Sequence, residues 1–329
     1  MIALGALNPI LGYRQLYPMK KRLYLFFVIL VATFEALSEE NATYDPLYAG
    51  TLLAFYPSNA EPGRMSIQPY LFASSRYGIY NHHWRNQEHS TIVQEEIFVA
   101  LETGITKSLD ISMFVSSFYS QYRSQKSVCF DDLNVYLGWQ LSRDKKGTWI
   151  PDSRLLVGEI FPTGKFQHLD PKKGGSDISG AGSYQTSAVL VLQKIFYTFP
   201  NHPYNVNLNL IYIVPTKVET HGLNLYGDGH GVANPGNHFI ANLGYEFSFT
   251  KNWGWGIDLR YEHQNKSPFK LRGSDLKGGL PSSEVFSLAP SLEYNWSTDL
   301  SVAWGAWFSI AGRNAEAFAS GVFNVFYYF

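Results

Sequence analysis

Trp253, Trp255, Ile257, Leu259 and Tyr261 alternate with Gly254, Gly256, Asp258, Arg260 and Glu262, so one short stretch is apolar at odd positions and charged or bare at even ones. Successive side chains of a β-strand point to opposite faces, and that period of two is incompatible with an amphipathic helix. Phe239, Ala241, Leu243, Tyr245, Phe247 and Phe249 repeat the pattern against His238, Asn242, Glu246 and Ser248. Val206, Leu208, Leu210, Tyr212 and Val214 do so against Asn205, Asn207 and Asn209. A soluble sandwich would pack such an apolar face on a second sheet. A membrane barrel would turn it to lipid and leave the charged face to a polar lumen.

Segments of this kind recur twelve times: Met65 to Ser75, Ile92 to Gly104, Leu109 to Tyr122, Phe130 to Ser142, Ser153 to Thr163, Ser183 to Tyr197, Asn205 to Val214, His238 to Thr250, Asn252 to His263, Val285 to Trp296, Leu300 to Ile310 and Phe318 to Phe329. Twelve satisfies the even strand count of bacterial single-chain barrels. Links after even-numbered segments are short (Thr106-Lys107-Ser108, Lys251, Ser297-Thr298-Asp299), with Arg143 to Asp152 and Thr198 to Tyr204 somewhat longer. Links after odd-numbered segments are long and polar: Arg76 to Thr91, Gly164 to Gly182, Pro215 to Asn237 and Gln264 to Glu284. The expected fold is an all-β, transmembrane, antiparallel up-and-down barrel with both termini in the periplasm. Leu155 to Phe161 and Ala188 to Phe196 are apolar on both faces, and the pattern leaves their sides unassigned. Tyr, Phe and Trp number 22, 23 and 8, as aromatic girdles at the two interfaces require.

Ahead of the barrel, Met19-Lys20-Lys21-Arg22 and the apolar run Leu23 to Phe34, followed by Ala36-Leu37-Ser38, form a basic head, a short apolar core and a small-residue cleavage site. Residues 19–38 are therefore expected to be a cleavable signal peptide, with 1–18 an upstream extension of the gene model. The apolar run falls short of the roughly 20 residues of a retained anchor. Residues 39–64, polar with Pro and Asn, read as a periplasmic lead-in to a barrel spanning 65–329. No later apolar run is long enough for a transmembrane helix. The alternation of Phe323, Val325, Tyr327 and Phe329 resembles the C-terminal signal read by the barrel-insertion machinery. Expected partners are outer-membrane lipid, that machinery and small solutes. A formal net charge of −1 gives no reason to expect nucleic acid.

Leu155-Leu156-Val157-Gly158-Glu159-Ile160-Phe161-Pro162-Thr163-Gly164, with Gly180-Ala181-Gly182-Ser183-Tyr184 opening the next strand, resembles the transporter-like outer-membrane family named for the meta-pathway of phenol degradation (MetA-pathway). Its members show a strand ending in Pro-Thr-Gly, a loop, and then Gly-x-Gly-Ser. Phe130-Asp131-Asp132-Leu133 is similar to that family's Gly-Asp-Leu strand, with Phe130 or Asp131 where a Gly is usual. The resemblance implies a transporter-like barrel for small aromatic or hydrophobic compounds. From the residues alone, Pro162, Thr163, Gly164, Gly180, Gly182 and Ser183 read either as turn chemistry or as the base of a loop folded into the lumen.

By parity Glu96, Glu102, Asp132, Glu246, Asp258, Arg260, Glu262 and Glu293 point inward. Such groups can set ion preference in a wet lumen or pair with one another as a structural network. The loop histidines His82, His83, His89, His221, His230 and His238 match no standard metal-ligand spacing, so neither metal nor cofactor is expected. Cys129 has no partner for an intramolecular disulfide. No strand-borne His-x-Ser, Gly-x-Ser-x-Gly or His-Glu-x-x-His occurs, which argues against an enzyme. The function expected is passive passage of small solutes, the alternative a closed structural or surface-contact barrel.

Overall fold

The computed structural model describes residues 44–48, 50–199, 201–274 and 277–329; the expected signal peptide and upstream extension lie outside them. Along the chain come β1 (Met65–Tyr80), β2 (Asn86–Gly104), β3 (Leu109–Tyr122), β4 (Gln125–Phe130), β5 (Leu133–Ser142), β6 (Asp152–Phe161), β7 (Gln185–Phe196) and β8 (Tyr204–Pro215). The next connection holds β9 (Val218–Thr220), β10 (Leu223–Asn224), β11 (Gly227–Asp228) and β12 (Gly231–Ala233). β13 (His238–Ser248) and β14 (Trp253–Gln264) follow, then the short β15 (Ser267–Leu271) and β16 (Lys277–Leu280). β17 (Ser283–Asn295), β18 (Leu300–Arg313) and β19 (Ala315–Tyr328) complete the wall.

Each long strand is antiparallel to the next, and β19 returns to β1 with Leu71 opposite Phe323, closing the sheet. β4 and β5 share one place in the wall. Both pair with β3, as in Val128 with Tyr119 and Val135 with Met113, and Asp131-Asp132 separates them. The barrel is therefore twelve-stranded. Beyond the last β5–β6 pair, Leu133 with Phe161, β4 carries its ladder on one side only.

Three connections at the end holding Met65 and Phe329 use one device. Thr106 Oγ1 accepts from Leu109 N (3.0 Å), Thr250 Oγ1 from Trp253 N (3.1 Å) and Ser297 Oγ from Leu300 N (3.2 Å). In each, a hydroxyl takes up a backbone donor that the tight turn leaves unpaired. At the opposite end the loops are more ordered than the sequence suggests. Arg76 to Thr91, read above as a long link, is mostly ladder, with β1 reaching Tyr80 and β2 starting at Asn86. Pro215 to Asn237 and Gln264 to Glu284 supply β9, β12, β15 and β16, a four-stranded sheet in the order β16-β15-β12-β9 above β17-β14-β13-β8. Alternation encodes contact with lipid, so a ladder that rises clear of the apolar belt loses its signature without losing its hydrogen bonds. Val218, Tyr226, Ala233 and Phe269 give this cap its own small core.

The alternating apolar faces lie outside: Leu71, Leu243, Leu259 and Phe323 are exposed there. The unassigned strands resolve as well. Val157 faces out, whereas Leu156, Ile160, Val189 and Val191 are buried within the barrel. Leu243 pairs with Leu259 at mid-height of the wall. L243R should cost about 2–4 kcal/mol in urea unfolding from lipid vesicles, the range for a basic side chain at the bilayer midplane.

Candidate functional site

The segment before β1 does not stand off below the barrel as a lead-in; residues 50–62 lie inside it. Thr51 Oγ1 donates to Asp258 Oδ1 (2.5 Å), and Leu53 N to Asp258 Oδ2 (3.1 Å). Phe55 N donates to Asn209 Oδ1 (2.6 Å), Asn59 N to Gln140 Oε1 (2.8 Å) and Ala60 N to Glu102 Oε1 (3.0 Å). The segment is not in the sheet, so its backbone donors need partners elsewhere, and inward carboxylates and amides provide them. Glycines make the room: a Cβ on Gly244 would come within 2.7 Å of Thr51 Oγ1, and one on Gly305 within 2.8 Å of Leu52 Cδ1. Both ends of the plug return to the rim that bears Phe329. Asn295 Nδ2 donates to Leu47 O (2.8 Å), Asp45 pairs with Lys146 (3.1 Å), and Glu61 N donates to the Tyr328 hydroxyl (2.5 Å). The exposed Lys146 ammonium holds the Asp45 carboxyl below its ordinary value through a hydrogen bond and their opposite charges.

Arg154 is the buried hub beneath the plug. It pairs with Asp110 (2.6 Å) and Glu102 (3.1 Å) and donates to the carbonyls of Tyr56 (3.0 Å) and Ser58 (3.4 Å). Its inward position was not singled out in the sequence, because Arg154 stands at the start of a strand whose apolar residues occupy both faces. The predicted inward residues divide among different surroundings. Glu102 and Asp258 hold the plug. Glu246 is buried and accepts from Asn205, and Glu293 is buried beside Gly254. Arg260 pairs with Glu262 (2.6 Å), which also meets His238 (3.3 Å). Glu96 faces the cavity and accepts from Gln94 (3.4 Å).

Asp132 has a different task. Its two carboxylate oxygens accept from Gly164 N (2.8 Å) and Ala181 N (2.9 Å), fastening the two ends of the 164–181 loop together. Gly164 and Gly180 meet there so closely that a Cβ on Gly180 would lie 2.8 Å from Gly164 Cα. Thr163 Oγ1 ties the same corner to β5, accepting from Leu133 N (2.9 Å) and donating to Asp131 O (2.9 Å). Pro162 ends the β6 ladder, Gly182 takes a left-handed φ of 72° against the Phe166 ring, and Ser183 is buried. The loop then turns into the mouth, where Ser120 Oγ donates to Ser176 O (2.5 Å) and Cys129 lies buried under Asp177. Tyr226 of the cap reaches down to Ala181 O (2.7 Å). At the C-terminus Phe323, Tyr327 and Phe329 are exposed on the outer wall, with the partly buried Val325 on the same face.

Beside the plug runs a cavity of about 1010 Å³. The lumen was expected to be polar, but inward aromatic and aliphatic side chains from β1, β2, β3, β5, β8 and β18 make up much of the lining of this space. Phe72, Phe98, Phe114, Tyr136, Ile213 and Trp307 line it, and Leu52, Leu53 and Phe55 of the plug form another side. Phe98 stacks on Phe114 with centroids 5.7 Å apart, and Tyr70 meets Phe98 edge-on at 5.5 Å. Charged groups share the lining: Glu96 stands opposite Phe72 on the wall, Arg260 lies near Trp307, Glu102 and Arg154 lie beneath the plug, and Arg64, paired with Asp299 (2.8 Å), lies at the rim that bears Phe329.

A closed, lipid-facing antiparallel barrel whose chain also fills part of its own lumen defines the chain as an outer-membrane β-barrel in fold. The COG4313 outer membrane channel from Pseudomonas putida F1 shares this fold, with a TM-score of 0.63 at 11% identity over 87% of this chain and 100% of that one. The β domain of the Bordetella autotransporter BrkA gives 0.43 at 10% identity, covering 82% of this chain and 100% of that one. The CymD monoaromatic hydrocarbon channel gives 0.36 at 10% identity, covering 82% and 88%. No protein-family model and no curated protein matches the sequence. The fold implied by the family resemblance is the fold observed.

Arg154 provides the sharpest test of the lumenal network. R154A leaves the fully buried Asp110 without its cation, and an uncompensated buried charge of this kind costs about 3–5 kcal/mol. The loss should appear as a lower urea midpoint for the refolded barrel.

Proposed function

We propose that the chain is an outer-membrane channel that takes small hydrophobic or aromatic solutes through the lumenal cavity. The observation that carries this reading is a space large enough for such a solute in which Phe72, Phe98, Phe114, Tyr136 and Trp307 gather on the wall, with a small number of charged groups beside them. An aqueous ion pore would instead present rings of charge along its path. The COG4313 protein is a channel by name and CymD a monoaromatic hydrocarbon channel, in agreement with the compounds that the family resemblance implies. The short-turn rim, with both ends of the plug, faces the periplasm, and the capped end faces outwards. Phe323, Val325, Tyr327 and Phe329 are the residues offered to the insertion machinery.

The plug favours a second reading, a closed barrel without passage, because it crosses the half of the lumen nearest the short turns. The two readings separate in binding and conductance. Ala100 is a small residue on the cavity wall, opposite Gln68 and Phe114. The refolded barrel should bind a naphthalene-type fluorophore saturably, and A100W should weaken that binding at least tenfold while the barrel stays heat-modifiable. Deletion of residues 50–62 should raise single-channel conductance several-fold. Binding indifferent to A100W, together with a deletion variant that folds and never conducts, would overturn the channel in favour of the closed barrel.

A further inference from the structure

The cap carries a pair of histidines that its ladder brings together. β9 and β12 are antiparallel, with Thr220 opposite Gly231. The next position in that register sets His221 opposite His230. Thr220, Gly231 and Ala233 are buried towards the cap core, whereas His221 and His230 are exposed on the other face. Their rings are stacked, with centroids 4.4 Å apart and planes 22° from parallel. Nine sequence positions separate them, which is why no ligand spacing was visible in the sequence.

The hairpin holds its shape without the rings. Gly229 N donates to Gly222 O (3.0 Å), His221 N to the Gln167 side chain (3.0 Å), and Arg272 N to His230 O (2.9 Å). Backbone groups thus fix both Cα positions while the imidazoles remain at the surface. Two imidazole nitrogens bind one tetrahedral ion at about 2.0–2.1 Å each, which requires them to stand about 3.3 Å apart. The stacked rings must turn about their side-chain bonds to bring one nitrogen of each towards a shared ion, and both are exposed on the same face of the hairpin. Imidazole suits zinc, copper and nickel and is a poor ligand for magnesium or calcium. His168 stands close by: a Cβ on Gly222 would lie 3.6 Å from its Nδ1.

We infer that His221 and His230 form a surface site for one divalent transition-metal ion, coordinated by both imidazoles with water in the remaining positions. A bound ion would join the 216–222 and 229–233 segments of the cap through their side chains. The site is independent of the lumenal cavity and of the channel reading.

Isothermal titration of the refolded, full-length barrel with zinc chloride, and separately with nickel chloride, tests the inference. One ion per barrel with a micromolar dissociation constant is expected, and magnesium should show no saturable binding. H221A and H230A should each weaken zinc binding more than tenfold and leave heat-modifiability unchanged. H82A/H83A serves as control, since those two rings also touch, at 3.7 Å, but belong to adjacent residues in the β1–β2 turn. Zinc binding that survives H221A and H230A, that is lost with H82A/H83A, or that is absent in the unaltered barrel overturns the assignment.

Discussion

In hydrocarbon no water replaces a missing backbone hydrogen bond, so a membrane sheet cannot keep a free edge. The pairing of β19 with β1 meets that demand around the wall, the short β4 being, among the described residues, the one strand of it laddered on a single side, and the rest of the architecture follows from that closure. Closing the sheet creates an inside, and each strand must then send every second side chain into it. Those side chains need partners as surely as the backbone does. The plug answers both needs together: its backbone, lacking a ladder, has donors to spare, and the inward face offers Asp258, Asn209, Gln140 and Glu102 as acceptors. Neither surface would be satisfied if the other were removed.

This mutual satisfaction divides the lumen into regions of different character. Polar inward residues hold the plug's backbone, while its side chains join two apolar clusters: Phe55 packs against β3, β5 to β8 and β13, and Leu52 and Leu53 against β1, β2, β18 and β19. The cavity lies along the seam between plug and wall. Aromatics on one side of this space and Leu52, Leu53 and Phe55 on the other give it apolar surface beside its charged groups.

Much of the wall was legible in the sequence, because lipid outside and a polar interior impose a period of two that Trp253 to Glu262 displays without interruption. Legibility ended where that contrast ended. Leu156 and Val189 face inward yet are apolar, so they looked the same as their lipid-facing neighbours. Arg76 to Tyr80 and Asn86 to Thr91 stay in the ladder, but Asn86 to Thr91 is polar on both faces and resembled a loop, which hid the partner of Arg76 to Tyr80 as well. The plug was missed for a related reason: a segment bonded through its backbone to scattered side chains has no periodicity of its own. Its trace lay in the wall, in inward glycines such as Gly244, Gly256 and Gly305 that leave a recess, and in the apolar run Leu52 to Phe55 within an otherwise polar stretch. For Asp132 the sequence offered only parity; the fold shows that its carboxylate joins Gly164 to Ala181, which gives the Pro-Thr-Gly and Gly-x-Gly elements one shared purpose.

The plug enters and leaves by the same rim, as the contacts of Leu47 and Glu61 with Asn295 and Tyr328 require. Among the described residues it is a bight of chain laid into the tube from one end. It hangs on side chains such as Asp258, Asn209 and Gln140, and no strand pair of the wall passes through it. The contacts that fill the lumen are therefore a different set from those that close the wall.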